Sequence, residues 1–158
     1  MIELRIKGGE KLRSTAKLLK GKANKDLRNE LQRELRRSAK EFGKVVPAEV
    51  HHFMPSGYAP TLRQNLRVVG KVNVSALRAG VSLQATSKAS KHSKERKSEI
   101  AKLEKGMLRH PVYGNRSVWV NQTVKPGFFS KPIIKNADIF YADLVRAVEN
   151  VAAKIARS

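Results

Sequence analysis

Apolar positions recur along the chain with two spacings, and each spacing predicts a different kind of element. Every second residue is apolar in 2–7, as in a half-buried strand, and Gly8-Gly9 follows it. The same alternation continues through residues 66–74 and 77–84, on either side of a short turn, which predicts a hairpin. A further strand is predicted around Val118–Val120.

Helical spacing dominates both ends of the chain. Residues 10–20 predict a first helix, and a longer one after Asn24 has the apolar stripe Leu27, Leu31, Leu35, Ala39, Phe42 and Val46. Pro47 lacks a backbone N–H, so we expect that helix to end near Val46. Residues 99–106 predict a short helix or turn. A C-terminal helix follows from Ile133, Ile134, Phe140, Leu144, Val148, Val151 and Ile155.

These elements predict an α+β fold, with long N-terminal and C-terminal helices packed on a small antiparallel β-sheet. The length of 158 residues fits a single domain that spans 1–158. An apolar content of 41% is sufficient for a core. Pro55, Ser56 and Gly57 are expected to end the helical run before the hairpin.

Charge then narrows the class of partner. The 33 Lys and Arg outnumber the 13 Asp and Glu, so the formal net charge is +20, and the excess is spread along the whole chain. An acidic partner is therefore expected: nucleic acid, an anionic membrane surface or an acidic protein. The segment 86–98 is basic and has no large apolar residue, which predicts a flexible loop or arm.

The long N-terminal helix leaves two interpretations open. Its cations Arg28, Arg33, Arg36, Arg37 and Lys40 are interleaved with Glu30, Glu34 and Glu41. They form either a solvated helix face or a basic face that lies against phosphates.

No catalytic or metal-binding pattern is present in the sequence, so neither an enzyme nor a cofactor is expected. The chain has no Cys, and its histidines are His51, His52, His92 and His110, at spacings that fit no metal motif. Asp138 and Asp143 fit a helix start and a solvent face better than a catalytic pair. No apolar run approaches the ~20 residues of a membrane span, and no membrane partner is expected.

Two aromatic-rich strings remain, Gly106–Gln122 and Val124–Pro132. Prolines restrict φ there and glycines permit tight turns, so the aromatic side chains are anchored either in the chain's own core or against a neighbouring subunit. The candidates for a subunit interface are His110, Pro111, Tyr113, Trp119, Phe128 and Phe129.

Within these strings, residues 109–122 (RHPVYGNRSVWVNQ) and 126–132 (PGFFSKP), followed by an amphipathic helix, resemble the neck or tail-completion proteins of long-tailed bacteriophages, particularly those of actinobacterial phages. The resemblance covers roughly residues 10–156 and includes a Pro-Gly loop, Met54–Leu62, between the long N-terminal helix and the hairpin. It implies a structural component of the head–tail connector, made in the host cytoplasm and built into the virion, that forms a homo-oligomeric ring, commonly a hexamer, around the DNA channel. Other neck and tail proteins are the implied partners.

Alternatives remain at this stage. One is a tail terminator that caps the tail tube, and another, from a different class, is a non-specific nucleic-acid-binding protein. The arm offers Lys88, Lys91, Lys94, Arg96 and Lys97 as contacts to DNA or an acidic partner. Because the arm has no aromatic residue to stack on bases, any binding there is expected to be non-specific and salt-sensitive.

Overall fold

The computed structural model describes residues 2–7, 10–19, 25–75, 79–87, 94–112 and 115–157. The fold is α+β, as predicted. Its strands are β1 (Ile2–Lys7), β2 (Leu66–Asn73), β3 (Gly80–Ser87), β4 (Met107–Val112) and β5 (Asn115–Thr123). β1, β3 and β2 form one sheet in that order, and β4 and β5 form a second sheet.

The helices of the described residues differ widely in length. They are α1 (Glu10–Leu18), α2 (Lys25–Phe42), α3 (Val45–Glu49), α4 (Ala59–Asn65), α5 (Lys94–Glu104), α6 (Ser130–Lys135) and α7 (Ala137–Ile155). A short 3₁₀ turn, Val50–His52, follows α3 directly.

The chain forms two compact units that alternate along the sequence. We call Lys44–Val68 with Ala85–Lys135 the hairpin unit, because it contains β4 and β5; Met1–Ile2 also belong to it. The helix-pair unit consists of Glu3–Gly43, Val69–Gln84 and Asn136–Ser158. Organisation as a single domain stays a prediction.

The helix-pair unit is built on an antiparallel contact between α2 and α7. The rings of Phe42 and Phe140 stack with centroids 4.3 Å apart, and Glu30 pairs with Lys154 at the other end. Leu31, Leu35 and Ala39 of α2 are fully buried between these ends. The apolar stripe predicted for α2 is therefore its packing face, as ridge-and-groove contact requires.

The boundary after α2 differs from the prediction. The helix ends at Phe42, and Gly43 and Lys44 form a turn, because glycine is a poor helix former. Pro47 is the third residue of α3, where the first turn needs no donated hydrogen bond from its nitrogen. Val46 consequently belongs to a different helix from Leu35.

The prediction of a basic loop over 86–98 is wrong at both of its ends. Thr86 and Ser87 complete β3, and α5 begins at Lys94. Ile100 and Leu103 are buried one turn apart and anchor α5, and Lys, Glu and Arg are good helix formers that extend it toward the N-terminus. Residues 88–93 lie outside the described part of the chain.

Two further segments differ from the prediction: an expected loop is partly helical, and an expected single helix is divided in two. The expected Pro-Gly loop over 54–62 overlaps the start of α4, which has Pro60 in its first turn, where proline is favoured. The C-terminal helix is divided at Asn136 into α6 and α7. Ile134 is exposed, while Ile133 is fully buried, so the two do not share one apolar stripe.

Gly70 of β2 is a sharp test of packing in the helix-pair unit. A Cβ at Gly70 would overlap the Cβ of Ala39, which is fully buried on α2. We expect Gly70→Ala to lower the free energy of unfolding by about 1–3 kcal/mol, as overpacked cores do. Urea unfolding followed by circular dichroism measures the difference.

Gly57→Ala is the matched control, because a Cβ there meets no atom within 4 Å. We expect that variant to unfold close to the wild-type midpoint. Equal midpoints for the two variants would contradict the close approach of β2 to α2.

Candidate interaction surface

The β4–β5 hairpin brings most of the first aromatic-rich string onto two antiparallel strands. Met107 lies opposite Thr123, Arg109 opposite Asn121, and Pro111 opposite Trp119. The pairing is irregular after Pro111, since Val112 lies opposite Asn115. Pro111 cannot donate to the ladder, and a proline next to an irregularity is a common arrangement in sheets.

β5 exposes large apolar side chains on both of its faces. Val118, Trp119 and Val120 are 50%, 42% and 39% exposed, and Met107 of β4 is 48% exposed. Successive residues of a strand point to opposite faces, so neither face of β5 is covered. Among the described strands β5 pairs only with β4 and forms an edge of their sheet.

Arg109 and Trp119 lie on the same face of the hairpin. The guanidinium carbon of Arg109 lies 5.2 Å from the centroid of the Trp119 ring, a cation–π contact worth about 0.5–1 kcal/mol at an exposed position. The face also includes Met107 and Pro111, given the register of the two strands. We call Met107, Arg109, Pro111 and Trp119 the Trp119 face.

Glu104, the last residue of α5, holds the base of the hairpin. Its carboxylate accepts hydrogen bonds from the backbone N–H groups of Phe129 (2.9 Å) and Ser130 (3.2 Å), and from the Ser130 hydroxyl. Ser130 begins α6, where a carboxylate satisfies otherwise unpaired N–H groups. The Glu104 side chain thus joins the segment that precedes β4 to the segment that follows β5.

Backbone hydrogen bonds close the same base. The N–H of Val124 donates to Gly106 (2.8 Å), and the N–H of Gly127 donates to the carbonyl of Glu104 (2.9 Å). Gly106 has a φ of 87°, and a Cβ there would lie 2.7 Å from the carbonyl oxygen of Val124. A side chain at this turn is therefore excluded on two grounds.

The structure divides the predicted subunit-interface residues. Trp119 is exposed, and His110 and Pro111 are half-buried on β4. Phe128 and Phe129 are fully buried, so their assignment to an interface is wrong. They complete the core of the hairpin unit, because the Glu104 contact to Phe129 and Ser130 holds this segment against α5. Tyr113 lies outside the described residues.

The predicted contacts of the basic arm are divided as well. Lys88 and Lys91 lie outside the described residues. Lys94, Arg96 and Lys97 belong to the first two turns of α5, so their backbone is helical, in contrast to the flexible arm that was expected.

The sequence patterns missed Arg109 and Glu104. A signal for Arg109 was present, since Leu108, His110 and Val112 alternate with it as in a strand, but Pro111 within the run argues against a strand. Glu104 had no comparable signal, because its partners are 25 and 26 residues away.

The described residues include few other candidates for catalytic or metal-binding side chains. His51 and His52 are exposed neighbours with ring centroids 3.9 Å apart. No three of the described His, Asp and Glu residues lie close enough to hold a metal ion. Asp138 begins α7, and Asp143 pairs with Arg146 at 3.6 Å. None of the described helices has the length and apolarity that a membrane span requires.

No protein-family model, curated protein or solved structure matches this chain. Its function is therefore inferred from its residues and their geometry.

Removal of the Glu104 carboxylate tests the base of the hairpin. We expect Glu104→Ala to lower the free energy of unfolding by about 2 kcal/mol, because three donors lose a charged acceptor. Amide hydrogen exchange should accelerate at Phe129 and Ser130 in particular.

Glu99→Ala is the control, since it removes an exposed carboxylate from the same helix. It should change the free energy of unfolding by less than about 0.5 kcal/mol. Unchanged exchange at Phe129 in Glu104→Ala would contradict the proposed role of the carboxylate.

Proposed function

We propose that this protein is a subunit of a bacteriophage head–tail connector that forms a homo-oligomeric ring at the neck of the virion. The observation that supports this most is the β4–β5 hairpin, which leaves an edge strand and the Trp119 face exposed. The resemblance of the strings at 109–122 and 126–132 to neck proteins supplies the ring, the expected six copies and the other neck and tail proteins as partners.

The Trp119 face has the composition of an interface core. Trp and Arg are the residues most often found as binding hot spots, and Met is enriched in protein interfaces. Trp119, Arg109 and Met107 occur together on one face, beside a core that is complete without them. Burial of this face against another protein would remove a large apolar area from water.

The charge of the hairpin favours a head-to-tail contact over a symmetric one. Residues 107–123 contain Arg109 and Arg116 and no carboxylate, so two hairpins placed face to face would bring like charges together. A contact between the hairpin and a different surface of the next copy avoids this repulsion. Such heterologous contacts close into rings when the rotation between copies permits.

Ring assembly is tested most directly by changing two exposed residues of β5. We expect the purified wild type to form closed rings in negative-stain images and in mass photometry. Trp119→Thr combined with Val120→Thr should weaken assembly by at least about tenfold, as loss of a hot spot does, while threonine preserves the strand.

Ile139→Gln is the matched control, because Ile139 is an exposed apolar residue, 64% accessible, on α7. This variant should assemble as the wild type does. Wild-type protein that is monomeric both alone and in the assembled particle would exclude the connector function.

The position in the particle separates a neck ring from a tail terminator. A gold-labelled tag on the protein should appear at the head–tail junction in complete particles and on heads that have no tail. Labelling of free tails, with none on free heads, would instead identify a terminator.

A further inference from the structure

Four cations of α2 form an exposed stripe on the helix-pair unit. They are Arg33, Arg36, Arg37 and Lys40, and each is exposed, whereas Leu31, Leu35 and Ala39 form the buried side of the same helix. Spacings of three and four residues place these cations on one side of an α-helix, within about 10 Å along its axis. We call these four residues the basic stripe.

Carboxylates lie along one edge of the stripe. Glu30 is paired with Lys154 of α7, Glu34 is half-buried, and the exposed Glu41 lies four positions after Arg37. No carboxylate is located three or four positions from Arg36 or Lys40, so the charged residues of α2 at these spacings from them are cations. Like charges at this spacing destabilise a helix slightly, and an anionic ligand would relieve the repulsion.

The other elements of this unit supply few anions. Its acidic groups on α7 are the exposed Asp138 and Glu149 and the half-buried Asp143, which pairs with Arg146. The ion pairs Glu30–Lys154 and Asp143–Arg146 involve none of the four cations of the stripe. The unit as a whole has 18 basic and 9 acidic residues, so the local field is positive around α2 as well.

We propose that the basic stripe binds the phosphate backbone of duplex DNA without reading its sequence. A duplex presents one negative charge per about 1.7 Å of axis, so the length of the stripe spans about six phosphates. Three of its four cations are arginines, whose planar guanidinium groups can bind phosphate through two hydrogen bonds.

The same surface does not favour single strands. The one aromatic residue of α2 is Phe42, which is buried against Phe140, so α2 offers no ring on which an exposed base could stack. Because the stripe belongs to one chain, a monomer binds DNA as well as a ring subunit does.

Binding to short duplexes of two unrelated sequences, measured across a salt series, tests the proposal. We expect equal affinity for the two sequences, with weaker binding to single strands. Replacement of all four cations by glutamine should lower the slope of log affinity against log salt by about 3 to 4, which is about a hundredfold in affinity between about 50 and 200 mM salt. Glutamine retains helix propensity, and circular dichroism checks the fold.

A second quadruple variant distinguishes DNA binding by the basic stripe from attraction that depends only on net charge. Both sets of substitutions lower the formal net charge from +20 to +16, and the control set changes exposed cations of the hairpin unit: Arg63→Gln, Arg67→Gln, Lys102→Gln and Lys105→Gln. The control should lose less than one unit of salt slope.

Equal losses in the two variants would overturn the proposal, because binding would then follow net charge alone. A preference for one duplex sequence would overturn it too. So would stripe-dependent binding to phosphatidylserine vesicles in the absence of binding to duplex DNA. The oligomeric state of the wild type is measured separately, so failure to form rings can be distinguished from failure to bind DNA through the stripe.

Discussion

The hairpin unit depends on a single carboxylate at the base of its hairpin. Glu104 accepts hydrogen bonds from Phe129 and Ser130, and its carbonyl accepts one from Gly127. These bonds hold the two ends of the hairpin together, so β4 starts and β5 ends at a closed base. A two-stranded hairpin is marginally stable alone in water, and this one is joined to a core that contains Phe128 and Phe129. The exposed Trp119 face is therefore presented on a rigid base.

The chain has a large excess of positive charge, and its cations are accommodated differently in the two units. With 33 cations and 13 carboxylates, most cations have no opposite charge available within the chain. In the helix-pair unit, Glu30 pairs with Lys154, while the basic stripe is exposed on the side of α2 opposite the buried Leu31, Leu35 and Ala39. In the hairpin unit, Arg109 lies over Trp119 instead of pairing with a carboxylate. The proposals for an assembly surface and a phosphate-binding surface thus rest on separate residues in separate units.

Much of the fold was predictable because helices and strands depend on near neighbours in the chain. The stripe of α2, the alternation in β1 and the hairpin of β2 and β3 are all local patterns, and the structure confirms the elements. β4 was missed because Pro111 interrupts its pattern. The break at Gly43 was missed because Pro47, four residues further on, is a stronger helix breaker than glycine. For the candidate site, the string 109–122 was found, but Phe128 and Phe129 were assigned to an interface although they belong to the core.

Residue periodicity and charge counts were sufficient to establish the α+β class, the packing face of α2 and the positive field around the chain. Only the folded chain decided which aromatic residues are buried and which are exposed. An aromatic side chain is equally favourable in a core or an interface, and the choice at Trp119 and Phe129 depends on strand register and on Glu104. The residues that determine whether an aromatic side chain is buried lie far apart in sequence and become neighbours only when the chain folds. Phe42 and Phe140 are another such pair.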